Sequence, residues 1–413
     1  MGDAWIQSMT PLRCLWVTRL VPYPPFFGGD ATYSARLIES LAMTGVELTV
    51  LSHENGGPPP PATPGTEWVI VPFRDFGRVR SLFGRTPAIV HRFSTPQIRN
   101  ALQTLLRQRS WDAVLIDNVA LVGTLDPHSR TRGGDGTRLL VYVSHNHEEA
   151  IRAQLAASAP RLSAKRFALQ WDAIKTAPIE RALVDAVDLV TVNTEHDANL
   201  YRRHAPDQRY LVLTPGYDGP EVAVRAIDAG TPRRIVLLGS FAWIAKQLNL
   251  WRFLEVSVTP LAQAGIGIDI VGWIPDAFAL QVRASFPDVT LTGPVDHVGP
   301  HLARARMGIV AEEIGGGFKH KVLDYVFNRL PVVSLAGSVV GTPLAAGESI
   351  LEFISLTRLV EGVIGTIDDL NTLNAVQEAA FRACQGRFAW ADRGRALADT
   401  LTELRSGSAK WAS

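Results

Sequence analysis

Cysteine is nearly absent from this 413-residue chain: Cys14 and Cys384 are the only two, one near each end. A disulfide framework is thereby excluded; one bridge stays open, and a reducing compartment is the expectation. Net charge is also scarce. Lys and Arg number 41 against 40 Asp and Glu, a formal +1. That balance removes the broad basic field by which proteins hold nucleic acid, so no nucleic-acid partner is expected. No apolar run reaches the ~18 residues that a membrane-spanning helix needs. The N-terminus lacks a charged segment followed by an apolar one, so no secretory signal is expected, and the cytoplasm is the expected compartment. No short tandem repeat is visible.

What the chain does have is apolar residues, 46% of the total, enough for two cores at this length. Strand and helix patterns alternate. Arg13–Thr18 reads as a buried strand, followed by a Pro/Gly loop, a helix from Ala31 to Met43 with Leu37 and Leu41 at helical spacing, and a strand from Val46 to Leu51. Further strands are expected at Trp68–Val71, Ala113–Ile116, Leu139–Val143 and Asp188–Val192. Helices are expected over Thr95–Gln108 and through an Ala-rich helical region to about Val187. Arg130–Gly136 reads as a polar turn. Pro206–Pro232, irregular and rich in Gly and Pro, reads as a linker. The pattern restarts at Arg234–Ser240 and continues through strands at Gly267–Val271, Val289–Leu291 and Met307–Val310. The predicted fold class is α/β: two Rossmann-like, doubly wound parallel sheets facing a cleft. The expected partition is a first unit over 10–205, a linker over 206–232, a second unit over 233–385 and a final helical segment over 386–408.

One stretch carries the chemistry. Gly315-Gly316-Gly317 lets backbone amides approach a ligand, and Lys319, Lys321 and Asp324 follow at the start of a predicted short helix. A helix N-terminus with unpaired amides favours an anion, and two lysines held there are best offset by one. Their mobile charge would meet a phosphate, while Asp324, on the same face as Lys321, would meet a sugar hydroxyl. Leu330-Pro331-Val332-Val333-Ser334 then reads as a buried strand.

This stretch resembles the signature of family 4 glycosyltransferases, G-[SAG]-G-x-K-x-K-x-x-E followed by G-x-P-V-V, with Asp324 at the usual Glu and Arg329 at the usual Gly. The resemblance implies the GT-B fold, with retaining, metal-independent transfer of a sugar from a nucleoside-diphosphate sugar to a hydroxyl acceptor. The donor is then substrate, and no cofactor is expected. It extends along most of the chain. Gly28-Gly29 is similar to the family's glycine pair facing the donor phosphates. Gly239-Ser240 through Lys246 is similar to its G-R-L-x-x-x-K loop, with Ser240 at the usual Arg and the lysine one residue later. Thr214–Asp218 is similar to P-N-G-V-D without the Asn, and Phe388 onward to a final helix that returns to the first unit. By resemblance, amides of Gly315, Gly316, Gly317 and Phe318 with Lys319, Lys321 and Lys246 bind the diphosphate. Asp324 holds the ribose, the loop with Val295 lies near the base, and a strand-end His lines the sugar.

That histidine is expected to be His145, at a strand end where an imidazole can bond a sugar hydroxyl or transfer a proton, with His147 left open as the alternative. With Glu148 they also admit a metal reading, but no third distant ligand is identified, so no metal is expected. Arg161–Trp171 mixes basic and apolar residues. It reads either as a solvated helix with a core face or as a contact with a membrane or a lipid-linked acceptor. Two other functions fit the same pattern: a nucleotide-sugar epimerase or phosphorylase, and a binding protein that has lost catalysis. Donor sugar, base, acceptor and oligomeric state are not legible.

Overall fold

The structure, a computed structural model, describes residues 11–25, 28–75, 81, 84–125, 138–159 and 163–407. The expected turn over Arg130–Gly136, and Arg161 and Leu162, lie outside the described residues.

The first sheet is built from β1 (Arg13–Leu20), β2 (Glu47–His53), β3 (Thr66–Val71), β4 (Ala113–Asp117), β5 (Leu139–Val143), β6 (Leu189–Val192) and β7 (Tyr210–Val212). They lie in the order β3-β2-β1-β4-β5-β6-β7, every pairing parallel. The middle of the sheet is covered on both faces, which is why β4 and β6 are buried from end to end rather than alternating. α1 (Gly29–Ala42), α2 (Ala88–Phe93), α3 (Pro96–Gln108), α4 (Glu148–Ser158), α5 (Ala164–Ala186) and α6 (Glu195–Arg202) provide the connections. Thr95 caps α3 by accepting from Ile98 N, with proline in its first turn.

The second sheet holds β8 (Arg234–Leu238), β9 (Gly267–Val271), β10 (Thr290–Gly293), β11 (Met307–Val310), β12 (Val332–Leu335) and β13 (Leu351–Phe353). Its order is β10-β9-β8-β11-β12-β13, again all parallel. Its helices are α7 (Ile244–Gln263), α8 (Asp276–Ser285), α9 (Gly299–Ala303), α10 (His320–Phe327), α11 (Leu356–Thr366) and α12 (Leu370–Cys384). In both sheets the strand order reverses beside the first strand, between β1 and β4 and between β8 and β11. Such a reversal opens a crevice at the carboxyl ends of the strands.

The last helix, α13 (Trp390–Arg405), crosses back to the first sheet. Leu397, Leu401 and Leu404 pack with Leu37 and Leu41 of α1 in one buried cluster. Gly394 permits the close crossing, since a Cβ there would strike the backbone of Ser40.

Three expectations are corrected. The chain after Pro206 is not irregular throughout: Tyr210–Val212 pairs with β6 and completes the first sheet, so a connecting segment begins beyond Val212. Three residues rich in neighbouring Gly and Pro gave too short a pattern to read. The Ala-rich region is two helices, broken between Ser158 and Ala164. Lys319 and Lys321 are not mobile, as described below. Cys14 and Cys384 are both buried and free.

Arg329 shows why glycine is usual at its place. It closes α10 in the left-handed region, φ 53°, with Arg329 N bonded to Val326 O and Leu330 N to Tyr325 O. That is a Schellman ending, which glycine adopts without a Cβ penalty. Here the side chain offsets the strain: its guanidinium lies 3.9 Å from the Phe381 ring centroid, pairs with Glu378 and donates from Nε to Val222 O at 2.7 Å.

Candidate functional site

The two crevices face each other. On the second side, α10 begins at His320, with Lys319 at its N-cap and Lys321 in its first turn. Lys321 Nζ lies 2.7 Å from Glu312 Oε1, and Lys319 Nζ lies 3.6 Å from Glu312 Oε2. These side chains are only 10–15% exposed, so both lysines are pinned to one half-buried carboxylate just past β11. Burial alone would raise the Glu312 carboxyl, but Lys321, Lys319 and Lys246 together hold it at about 2. Lys246, in the first turn of α7, belongs to the same cluster. Burial pulls its ammonium below the usual range, Lys321 and Lys319 add to that, and Glu312 opposes it.

The triple glycine leads from this cluster to the first side. Asn249 clamps its start in both directions, with Ile314 N to Oδ1 at 3.0 Å and Nδ2 to Ile314 O at 2.7 Å. Ile314 packs with Ile151 and Leu155 of α4 and Ala245 of α7. Gly315 N donates to Gln154 Oε1 at 3.1 Å. At Gly317, φ 65°, a Cβ would collide with Asn146 Oδ1 and sit 3.1 Å from His145 O. Phe318 is buried, its ring 5.8 Å from that of His320.

On the first side, β1 leads to Gly28, the N-cap of α1, and Gly29, its first residue. A Cβ on Gly29 would lie 3.1 Å from His320 Cδ2, so this glycine pair abuts the head of α10. Asp30 pairs with Arg19 and contributes to the fields on Lys246 and His320. Burial, then Lys246, pushes the His320 imidazole down to about 4, keeping it neutral near pH 7.

His145 follows β5 and is buried at 4% exposure. Its Nε2 is hydrogen-bonded to Asp117 Oδ1 at the end of β4. Asp117 Oδ2 accepts from Trp16 Nε1 at 3.0 Å, Ser34 Oγ lies 3.5 Å from His145 Nε2, and Tyr33 meets the imidazole edge-on at 5.3 Å. Burial would raise Asp117, but His145 with the Ser34 and Trp16 donors holds it below the usual carboxylate range. A carboxylate only accepts, so Nε2 carries the proton. Among the described residues Nδ1 has no hydrogen-bond partner. His147 is turned elsewhere: its Nδ1 caps α4 by accepting from Ala150 N at 3.1 Å, and its ring packs on Tyr201 at 4.5 Å.

Asp324 is half-buried, and burial with nearby Asp218 lifts its carboxyl to about 7. Asp218 pairs with Arg36 of α1, so both sides meet there as well. Ser240 lies two residues past β8. Val295, two past β10, packs half-buried against the cluster that includes Phe318 and Val322. The structure thus brings Lys246, Lys319, Lys321, the glycine run and Gly28-Gly29 together, with His145 on the facing rim. Among the described residues no three His, Cys, Asp or Glu side chains converge to hold a metal ion, and no helix is long and apolar enough to cross a membrane.

Solved structures with a similar fold include glycosyltransferases and a sucrose-phosphate synthase. The sucrose-phosphate synthase of Thermosynechococcus elongatus superposes with a TM-score of 0.73 at 14% identity, over 96% of this chain and 100% of that one. WaaG, a glycosyltransferase involved in lipopolysaccharide biosynthesis, gives 0.66 at 16% identity, over 94% and 99%. HepE of Anabaena, solved with UDP and glucose, gives 0.62 at 12% identity, over 95% and 100%. This chain has the GT-B fold. No family model matches it, and no curated protein sequence does.

Within this GT-B chain, sequence reasoning missed Glu312, His320, Asp30 and Asp117. Three carry a readable signal: Glu312 and Asp117 end or follow buried strands on either side of the two reversal points, and His320 lies between two lysines. Asp30 has only its place after two glycines.

Proposed function

We propose that this chain transfers a sugar from a nucleoside-diphosphate sugar to a hydroxyl acceptor. The observation that carries the reading is the convergence of Lys246, Lys319 and Lys321 at the glycine run, across from His145. As the glycosidic bond breaks, negative charge grows on the departing diphosphate. Fixed ammonium groups and backbone amides stabilise that charge with little reorganisation. In this role Lys319, Lys321 and Lys246 contact the phosphates, and the site has within itself the charge that a metal would otherwise supply. His145, oriented by Asp117, presents Nδ1 as an acceptor for a sugar hydroxyl. Asp324, ionised above about pH 7, accepts from the ribose. Transfer with retention follows from the family resemblance. The HepE complex makes uridine diphosphate sugars the first donors to try.

The test is a thermal-shift panel of nucleoside-diphosphate sugars followed by donor turnover. A selective rise in melting temperature and release of nucleoside diphosphate are expected, both lost in Lys319→Ala with folding intact. Product analysis separates an epimerase, which yields an isomeric donor without acceptor. A folded chain that binds no donor would overturn the reading.

A membrane-bound or lipid-linked acceptor is favoured by one further observation. On α5, Phe167, Trp171 and Ile174 are 65%, 47% and 64% exposed at helical spacing, beside Lys165 and Arg166. Flotation with anionic vesicles, weakened in a Phe167→Ser, Ile174→Ser variant, is the expected outcome.

A further inference from the structure

Among the described residues Glu312 is the one carboxylate bonded to the lysine cluster, and transfer chemistry by itself gives no reason to place a negative charge there. We infer that Glu312 is a specificity-determining residue that sets the charge of the site to suit a diphosphate esterified at both ends. Free diphosphates and triphosphates carry more charge than that setting accommodates. The inference rests on the nucleotide-sugar reading above.

The geometry gives the charge balance. Lys319 and Lys321 share the two oxygens of Glu312, with Lys246 in the same field. Arg19, on the first side, is matched by Asp30. His320, between the lysines and against Gly29, is neutral near pH 7 and adds nothing. The lysines therefore keep an excess of two positive charges. A nucleotide sugar carries one negative charge on each of its two phosphates. A terminal phosphate has a second ionisation near pH 6 and so carries nearly one more. Free nucleoside diphosphate, nucleoside triphosphate and inorganic pyrophosphate all exceed the excess that the site offers. In a half-buried site, screened only partly by salt, each unmatched charge weighs heavily.

Calorimetric titration of wild type and Glu312→Gln with UDP-glucose, UDP, UTP and inorganic pyrophosphate tests this, with guanosine and adenosine counterparts alongside. In Glu312→Gln, affinity for UTP and pyrophosphate should rise about tenfold relative to UDP-glucose, and product inhibition by UDP should tighten. Glu312→Asp, which keeps the charge, should retain the wild-type ratios. A double Glu312→Gln, Lys321→Gln variant, which restores the net charge, should move the ratios back. It also serves if the single variant folds poorly. A role confined to aligning the lysines would weaken all ligands together and leave the ratios unchanged, and that result overturns the inference. Wild type that binds pyrophosphate but no nucleotide sugar would instead overturn the donor reading, and this inference with it.

Discussion

On the first rim of the cleft, Asp117 and His145 satisfy each other through one hydrogen bond, with Trp16, Ser34 and Tyr33 packed around them. On the second rim, Lys246, Lys319 and Lys321 crowd a single carboxylate. The first arrangement fixes a direction: an imidazole whose Nε2 is committed to a carboxylate, held by short-range contacts that salt barely affects. The second stores a field, long in range and sensitive to the charge of whatever enters. A site that must position a sugar and also receive an ionised leaving group needs both, and the fold assigns one to each sheet.

The largest effect should come from breaking the field. Lys319→Ala is expected to lower donor turnover by roughly 10²–10³-fold, read as nucleoside-diphosphate release, with the melting curve little changed. Breaking the orientation should cost less. Asp117→Asn can present its amide to Nε2 and favour the other tautomer; turnover should fall by roughly tenfold to a hundredfold at nearly constant KM. Repeating both at raised ionic strength sharpens the contrast, since donor binding should weaken with salt through the second rim alone.

The seam between the rims can be tested at adjacent glycines. Gly317→Ala forces a Cβ into Asn146 from a left-handed backbone and should destabilise by about 1–3 kcal/mol, with a raised donor KM. Gly316→Ala meets Ile151 only at ordinary contact, 3.5 Å, and should stay within about 0.5 kcal/mol in a denaturant melt.

A modest effect is expected in pH. Asp324 is raised from 3.8 to about 7 by burial and Asp218, so from about pH 4 to 7 the folded chain keeps a proton that the unfolded chain releases. Stability therefore falls as pH rises through that window. Asp324→Asn should remove this loss, about 1 kcal/mol once solvent screening of a half-buried group is allowed for, in melts at pH 5 and pH 8. Glu312 acts oppositely: held at about 2, it contributes stability above its ordinary value that is lost in acid.

Much of this was legible in the residues. The Gly315–Asp324 pattern, the strands at Leu139–Val143, Gly267–Val271 and Met307–Val310, and the alternation of strand and helix led to two parallel sheets. β7 was not legible, because three residues amid Gly and Pro hold no period. The choice between His145 and His147 was not legible either, because two residues apart on a loop they share every local feature. Only their partners differ, Asp117 for one and the head of α4 for the other.

By itself, the sequence determined where backbone can come close and where charge is available, since glycine, lysine and apolar period are local properties of the chain. The tertiary structure alone decided which charges meet. Lys246 reaches Glu312 and Asp117 joins His145 because neighbouring parallel strands bring their carboxyl ends together. The pairing of side chains so far apart in sequence is set by strand order, which no local pattern records.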